Sequence, residues 1–121
     1  MFGLKRKIGN QAEDYALKYL KKQKLKLVKR NYLSALGEID LVMLDQRMLV
    51  FIEVRFRQQN TYGGALASVD KRKRHKLIKT AELFLIKHPQ YQHFICRFDI
   101  IAIQDRLRYD NILWVKNAFQ R

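Results

Sequence analysis

Cysteine is all but missing from this chain. Cys96 stands alone, which excludes an internal disulfide, leaves no companion thiol at metal-ligand spacing and points to a reducing compartment, the cytoplasm. No apolar run approaches the ~20 residues that a membrane-crossing helix needs, and residues 1–7 are too polar for a signal sequence, so neither membrane insertion nor export is expected. Acidic residues are scarce as well. Eleven Asp and Glu face 25 Lys and Arg, a formal charge of +14, which opposes compaction and favours a polyanionic partner such as DNA or RNA over a membrane surface. Repeats, linkers and low-complexity segments are absent. The 121 residues, 48% of them hydrophobic, suit one domain with a single core over residues 1–121.

What is present is organised around residues 37–57, GEIDLVMLDQRMLVFIEVRFR. Two apolar segments of strand length flank the short Asp45-Gln46-Arg47-Met48 and read as a hairpin. Each carries charges that such segments rarely tolerate: Glu38 and Asp40 in the first, Glu53 and Arg55 in the second.

The remaining chain supplies the frame. Ala12, Tyr15, Ala16, Tyr19 and Leu20 recur at helical spacing over residues 10–23, where Asn10 and Glu13 have the form of a capping box. Residues 25–33 read as a basic edge strand. Residues 57–70, with Tyr62-Gly63-Gly64, form a polar loop. Asp70 can cap a second helix ending near Lys87, before the lone proline, Pro89. Its first turns read Lys71-Arg72-Lys73-Arg74-His75-Lys76, with Lys73 and Arg74 leaning toward the core side. That run is either a plain solvated face or a phosphate-binding helix start. Residues 94–103 form a buried strand whose Arg97 and Asp99 suit an internal ion pair, and residues 111–116 a final strand. The order αβββαββ predicts an α/β fold, a mixed sheet of about five strands flanked by helices.

If Leu44 pairs with Leu49, Asp40 falls opposite Glu53 and Glu38 opposite Arg55. Facing side chains have Cβ atoms roughly 5 Å apart, so the Asp40 and Glu53 carboxylates must be compensated. A divalent cation such as Mg²⁺ does this with oxygen ligands. A buried ionic network built on Arg55 does it equally.

Gly37-Glu38-Ile39-Asp40-Leu41-Val42, Phe51-Ile52-Glu53-Val54-Arg55, Tyr62-Gly63-Gly64, the Lys73 helix, Arg97-Phe98-Asp99 and Ala118-Phe119 together resemble the YraN-like family of uncharacterised bacterial proteins over nearly the whole chain. That family is similar to the PD-(D/E)-x-K nuclease superfamily, in particular to Holliday junction resolvases, and the resemblance implies a restriction-endonuclease-like fold. It also implies one or two Mg²⁺ or Mn²⁺ ions held by Asp40, Glu53, the Val54 carbonyl and Glu13. Arg55 stands where the superfamily has lysine. Arginine stays protonated and cannot serve as a base, though it can hold a phosphate, and Lys73 is a candidate substitute. The expectation is a metal-dependent endonuclease acting on branched or structured DNA. Asp40, Glu53, Arg55, Lys73 and Glu13 would sit at the chemistry, and Lys71, Arg72, Arg74 and Lys76 on flanking phosphates. A homodimer would be needed for paired cuts. The alternative is a nucleic-acid-binding module that keeps the fold without turnover, and an RNA- or ribosome-associated protein is a third reading.

Overall fold

A computed structural model describes residues 2–58 and 64–121, with side chains from Gly9 onward in the first helix. Helix α1 (Phe2–Lys22) leads into β1 (Lys26–Ser34), β2 (Gly37–Asp45) and β3 (Met48–Arg57). Short α2 (Gly64–Ala67) and α3 (Lys71–Lys87) follow, then β4 (Ile95–Gln104) and β5 (Ile112–Phe119). Apart from α2 this is the expected order. The five strands lie in sequence order across one sheet, antiparallel throughout except for the parallel pair β3–β4, whose long connection carries α2 and α3. The result is an α/β architecture with a mixed sheet flanked by helices, consistent with a restriction-endonuclease-like fold. Among the described residues, no helix is long and apolar enough to cross a membrane.

Both faces of the sheet are covered, and each helix contributes a stripe spaced to match. On one face Leu77, Ala81 and Phe84 of α3 pack on Val42, Phe51 and Phe98. On the other, Ala12, Ala16 and Leu20 of α1 pack on Leu41, Val50 and Ile52. Burying one such large side chain stabilises by about 1.5–3 kcal/mol. This docking explains why α1 starts well before residue 10. Gly9 weakens a helix by only about 1 kcal/mol, too little to end one anchored by so regular a stripe. Asn10 therefore lies inside the helix, and the expected capping box with Glu13 is not formed.

β1 is an edge strand, as expected, but a bulge between Leu27 and Lys29 shifts its alternation and leaves Leu27 partly exposed. The β2–β3 hairpin has the expected register, Leu44 with Leu49, and keeps it as far as Leu41 with Ile52. Tyr62 and Gly63 of the glycine loop lie outside the described residues, and Gly64 opens α2. At Gly37, the first residue of β2, φ is +150° and a Cβ would meet Thr80 Oγ1 of α3 at 2.9 Å. The turn is thus pressed directly onto that helix.

Arg97 and Asp99 form the internal ion pair that the sequence suggests. Asp99 is fully buried and receives Arg97 Nε at 2.8 Å and Nη2 at 2.9 Å, Trp114 Nε1 at 2.9 Å and the Asn117 amide at 2.9 Å. Arg97 also reaches Asp45 at 3.0 Å.

Candidate metal and nucleic-acid site

β2 and β3 separate at Asp40. Continued beyond Leu41 and Ile52, the ladder would set Asp40 against Glu53 and then Ile39 against Val54. Instead the Val54 amide donates to Asp40 Oδ2 at 2.8 Å, so a side-chain carboxylate occupies the place of a ladder carbonyl. The amide and carbonyl of one strand residue point to the same edge, and the Val54 carbonyl therefore opens toward the same gap. The gap widens into a cleft of about 500 Å³ lined by Glu13 from α1, Asp40, Glu53, Arg55 and Arg57 from the strands, and Lys73 from α3. The sequence-predicted catalytic set thus lines one cleft, drawn from both helical layers and the strands between them.

Glu53 is 3% exposed. Its Oε2 forms ion pairs with Arg55 Nη2 at 3.0 Å and Lys73 Nζ at 3.4 Å. Lys73 points inward because the Asp70 side chain takes its backbone amide at 2.9 Å, fixing where α3 begins. Oε1 of Glu53 is buried with no donor among the described residues. Burial, then the Asp40 carboxylate, hold the Glu53 carboxyl well above the usual range, and Lys73 and Arg55 oppose them incompletely. The facing pair expected from the hairpin register is therefore close in space, although Asp40 reaches Glu53 from the splayed edge. The same splay overturns the expected pairing of Glu38 with Arg55, because the strands have parted before those positions meet. Arg55 turns to Glu53, while Glu38 stays in the β1 ladder opposite Leu33.

Glu13 sits against Arg30, whose Nε lies 3.4 Å away and which also pairs with Asp14. Asn31, at φ +54°, can donate its amide to Glu13 Oε1 at 2.8 Å and to Glu38 Oε1 at 3.2 Å. Sequence reasoning missed Arg30 and Asn31. The available signal was an asparagine inside a strand, an unfavourable choice unless the backbone must turn left-handed there. Burial first, and Asp40 second, raise Glu13 from 4.5 to about 7, with Arg30 opposing. Between those values the folded chain keeps a proton that the unfolded chain releases, so this group's contribution to stability is full at low pH and lost as pH rises through 7. The gap in unfolding free energy between wild type and Glu13→Gln should change by about 3 kcal/mol from about pH 4 to about pH 8 without metal. Urea titrations across that range measure it, and a pH-independent gap would remove Glu13 from the coupled acids.

The donors offered here are carboxylate and carbonyl oxygens, the set a hard divalent cation prefers, and no donor among the described residues reaches Glu53 Oε1. Among the described residues, no three His, Cys, Asp or Glu side chains are grouped as a ready-made metal site. Two carboxylates suit Mg²⁺, which keeps several of its waters, and leave Glu13 to act through its charge on Asp40.

The model of the uncharacterised protein family UPF0102 matches residues 12–103. The chain belongs to UPF0102. This is the YraN-like family that the sequence motifs resemble. A UPF0102 protein of Alcanivorax borkumensis is 47% identical over 95% of this chain and 93% of its own length. Another, of Stutzerimonas stutzeri, is 46% identical over 93% of each. A third, of Pseudomonas putida, is 47% identical over 93% of this chain and 92% of its own.

In this UPF0102 chain the basic start of α3 serves two ends. Lys71, Arg72, His75 and Lys76 are exposed side by side on its outer face. Arg74 is turned away from them: its Nε donates to the Val69 carbonyl at 3.0 Å and its guanidinium lies 5.5 Å from the Phe119 ring centroid. Arg74 therefore fastens α3 to the end of β5, and of the four residues expected at flanking phosphates only Lys71, Arg72 and Lys76 stand free of the core.

Proposed function

We propose that this UPF0102 protein is a divalent-metal-dependent nuclease that hydrolyses phosphodiesters of branched or structured DNA in the cytoplasm. The observation that carries this reading is the buried Glu53 carboxylate beside Asp40, with one oxygen lacking a donor among the described residues, in a cleft bordered by Arg55 and Lys73. Asp40, Glu53 and the Val54 carbonyl would hold the cation. A cation bound there supplies a Lewis acid that lowers the pKa of water and offsets charge on the phosphate.

The chain's own groups do the rest. Arg55 and Lys73, both on Glu53 Oε2, are released to the scissile phosphate once the carboxylate is otherwise neutralised, and there they stabilise the charge that builds during attack. Arg55 stays a cation throughout. Glu13 lines the same cleft beside Asp40 and Glu53 and is the group assigned to accept a proton from the attacking water. Lys71, Arg72 and Lys76 hold neighbouring phosphates, and two cuts across one junction would use a symmetric pair of chains.

Purified protein should cut labelled junction, flap or duplex DNA in Mg²⁺ or Mn²⁺, and Asp40→Asn should slow it at least about 1,000-fold by removing one of two metal-holding carboxylates. Equal cutting by both proteins would assign the activity to a contaminant.

A second reading rests on the same cations. Arg55 and Lys73 already neutralise Glu53 without metal, as in a binding module that keeps the fold without turnover. In that case DNA is bound without being cut in Mg²⁺ or Mn²⁺, and the binding survives Glu53→Gln yet still weakens steeply with salt.

A further inference from the structure

The turn between β1 and β2 displays Leu36 where hairpin turns ordinarily carry Gly, Asn or Asp, and Leu33 stands beside it at the end of β1. Leu33 is 75% exposed and Leu36 50%, with exposed Ala35 between them. The turn is nonetheless braced. Ser34 Oγ accepts the Leu36 amide at 3.1 Å and donates to the Gly37 carbonyl at 3.1 Å, and Gly37 is pressed onto Thr80 of α3. Two large apolar side chains are thus held outward on a fixed tip. Leu36 precedes Asp40 by four residues, about 13 Å along the strand, so the tip and the carboxylates share one end of the sheet. Beside the tip, the outer face of α3 exposes Lys71, Arg72, His75, Lys76 and Lys79, and no acidic residue lies between residues 71 and 80.

This combination selects its occupant. A second copy docked here would bring its own charge of +14 against the basic helix. A nucleic acid complements the surface on both counts, because its backbone is anionic while the faces of its bases are apolar and become accessible where the stack is open. We infer that the Leu33 and Leu36 tip is a wedge that enters the base stack at an opened step of DNA, such as a branch, flap or mismatch, while α3 holds the flanking phosphates. The inference rests on the DNA reading of the cleft and adds to it the structural feature by which a substrate is chosen.

The test uses the full chain in EDTA, so that nothing is cut, with 2-aminopurine placed at the branch of a flap duplex. Wild type should brighten the probe and bind the flap at least about tenfold more tightly than an unbranched duplex of equal length. The double variant Leu33→Ser, Leu36→Ser should lose both the brightening and the preference. Its thermal midpoint should stay within a few degrees of wild type, since both side chains are exposed. A variant that keeps brightening and preference overturns the wedge while leaving DNA binding intact. Sedimentation showing a wild-type dimer that the variant dissolves overturns it too, by assigning the tip to a second copy. Wild type that binds no DNA either in EDTA or in Ca²⁺ defeats the reading of the cleft, and the wedge with it.

Discussion

Asp99→Ala is expected to lower the unfolding free energy by about 4 kcal/mol, the largest stability loss of any single substitution considered for this protein. Asp99 has no exposed surface and accepts four hydrogen bonds, two from Arg97 and one each from Trp114 and the Asn117 amide. Alanine would leave the Arg97 guanidinium, 10% exposed, with only Asp45 as an acidic partner, and would strand the indole N–H and a backbone N–H together. A buried cation deprived of its partner costs more than the pair contributes, because the desolvation penalty stays when the attraction is gone. For a chain of this length the thermal midpoint should fall by roughly 15 °C. Asp45→Ala removes the more exposed partner of the same arginine, 23% exposed, and should cost only about 1 kcal/mol. Calorimetry of the two variants checks the ranking. Equal losses would mean that Arg97 is anchored from the surface and that Asp99 is dispensable.

Glu53→Gln should separate stability from function. The amide keeps the shape of the side chain, removes a carboxylate that burial and Asp40 both disfavour, and can donate toward Asp40. Arg55 and Lys73 lose an ionic partner, but they are 24% and 33% exposed and can turn to water. Without metal the variant should therefore be as stable as wild type, or more stable by about 1 kcal/mol. Divalent-cation affinity should nevertheless fall at least about 100-fold, since the loss of even an outer-shell partner reaches that range, and cleavage should fall with it. Denaturant titration beside calorimetric Mn²⁺ titration gives both readings. A loss of several kcal/mol in the metal-free protein would instead make Glu53 a structural partner of Arg55, held in place for packing.

The frame of the site was legible because it depends on local patterns. The hairpin register followed from two apolar runs around a short turn, and the inward aim of Lys73 from its place one helical turn before the apolar Leu77 and Ile78. The parts that were not legible depend on side chains that replace backbone. Asp40 takes the Val54 amide that a ladder carbonyl would have taken, which ends the pairing before Glu38 and Arg55 can meet. Strand periodicity carries no signal for such a substitution. Glu13 was legible as a residue but not in its setting, because Gly9-Asn10 imitates a helix start that the docked stripe of Ala12, Ala16 and Leu20 overrides. Arg74 shared the helical phase of Lys73, yet its length let it reach Val69 and Phe119.

The central claim is that Asp40 and Glu53 hold a divalent cation. The most direct measurement is anomalous diffraction from crystals of the wild-type protein soaked in Mn²⁺. The account predicts a peak between the two carboxylates, at coordinating distance of about 2.1 Å from an oxygen of each, with Arg55 or Lys73 moved off Glu53 Oε2. A saturating soak that leaves the cleft without a peak, with Arg55 and Lys73 still paired to Glu53, would contradict it.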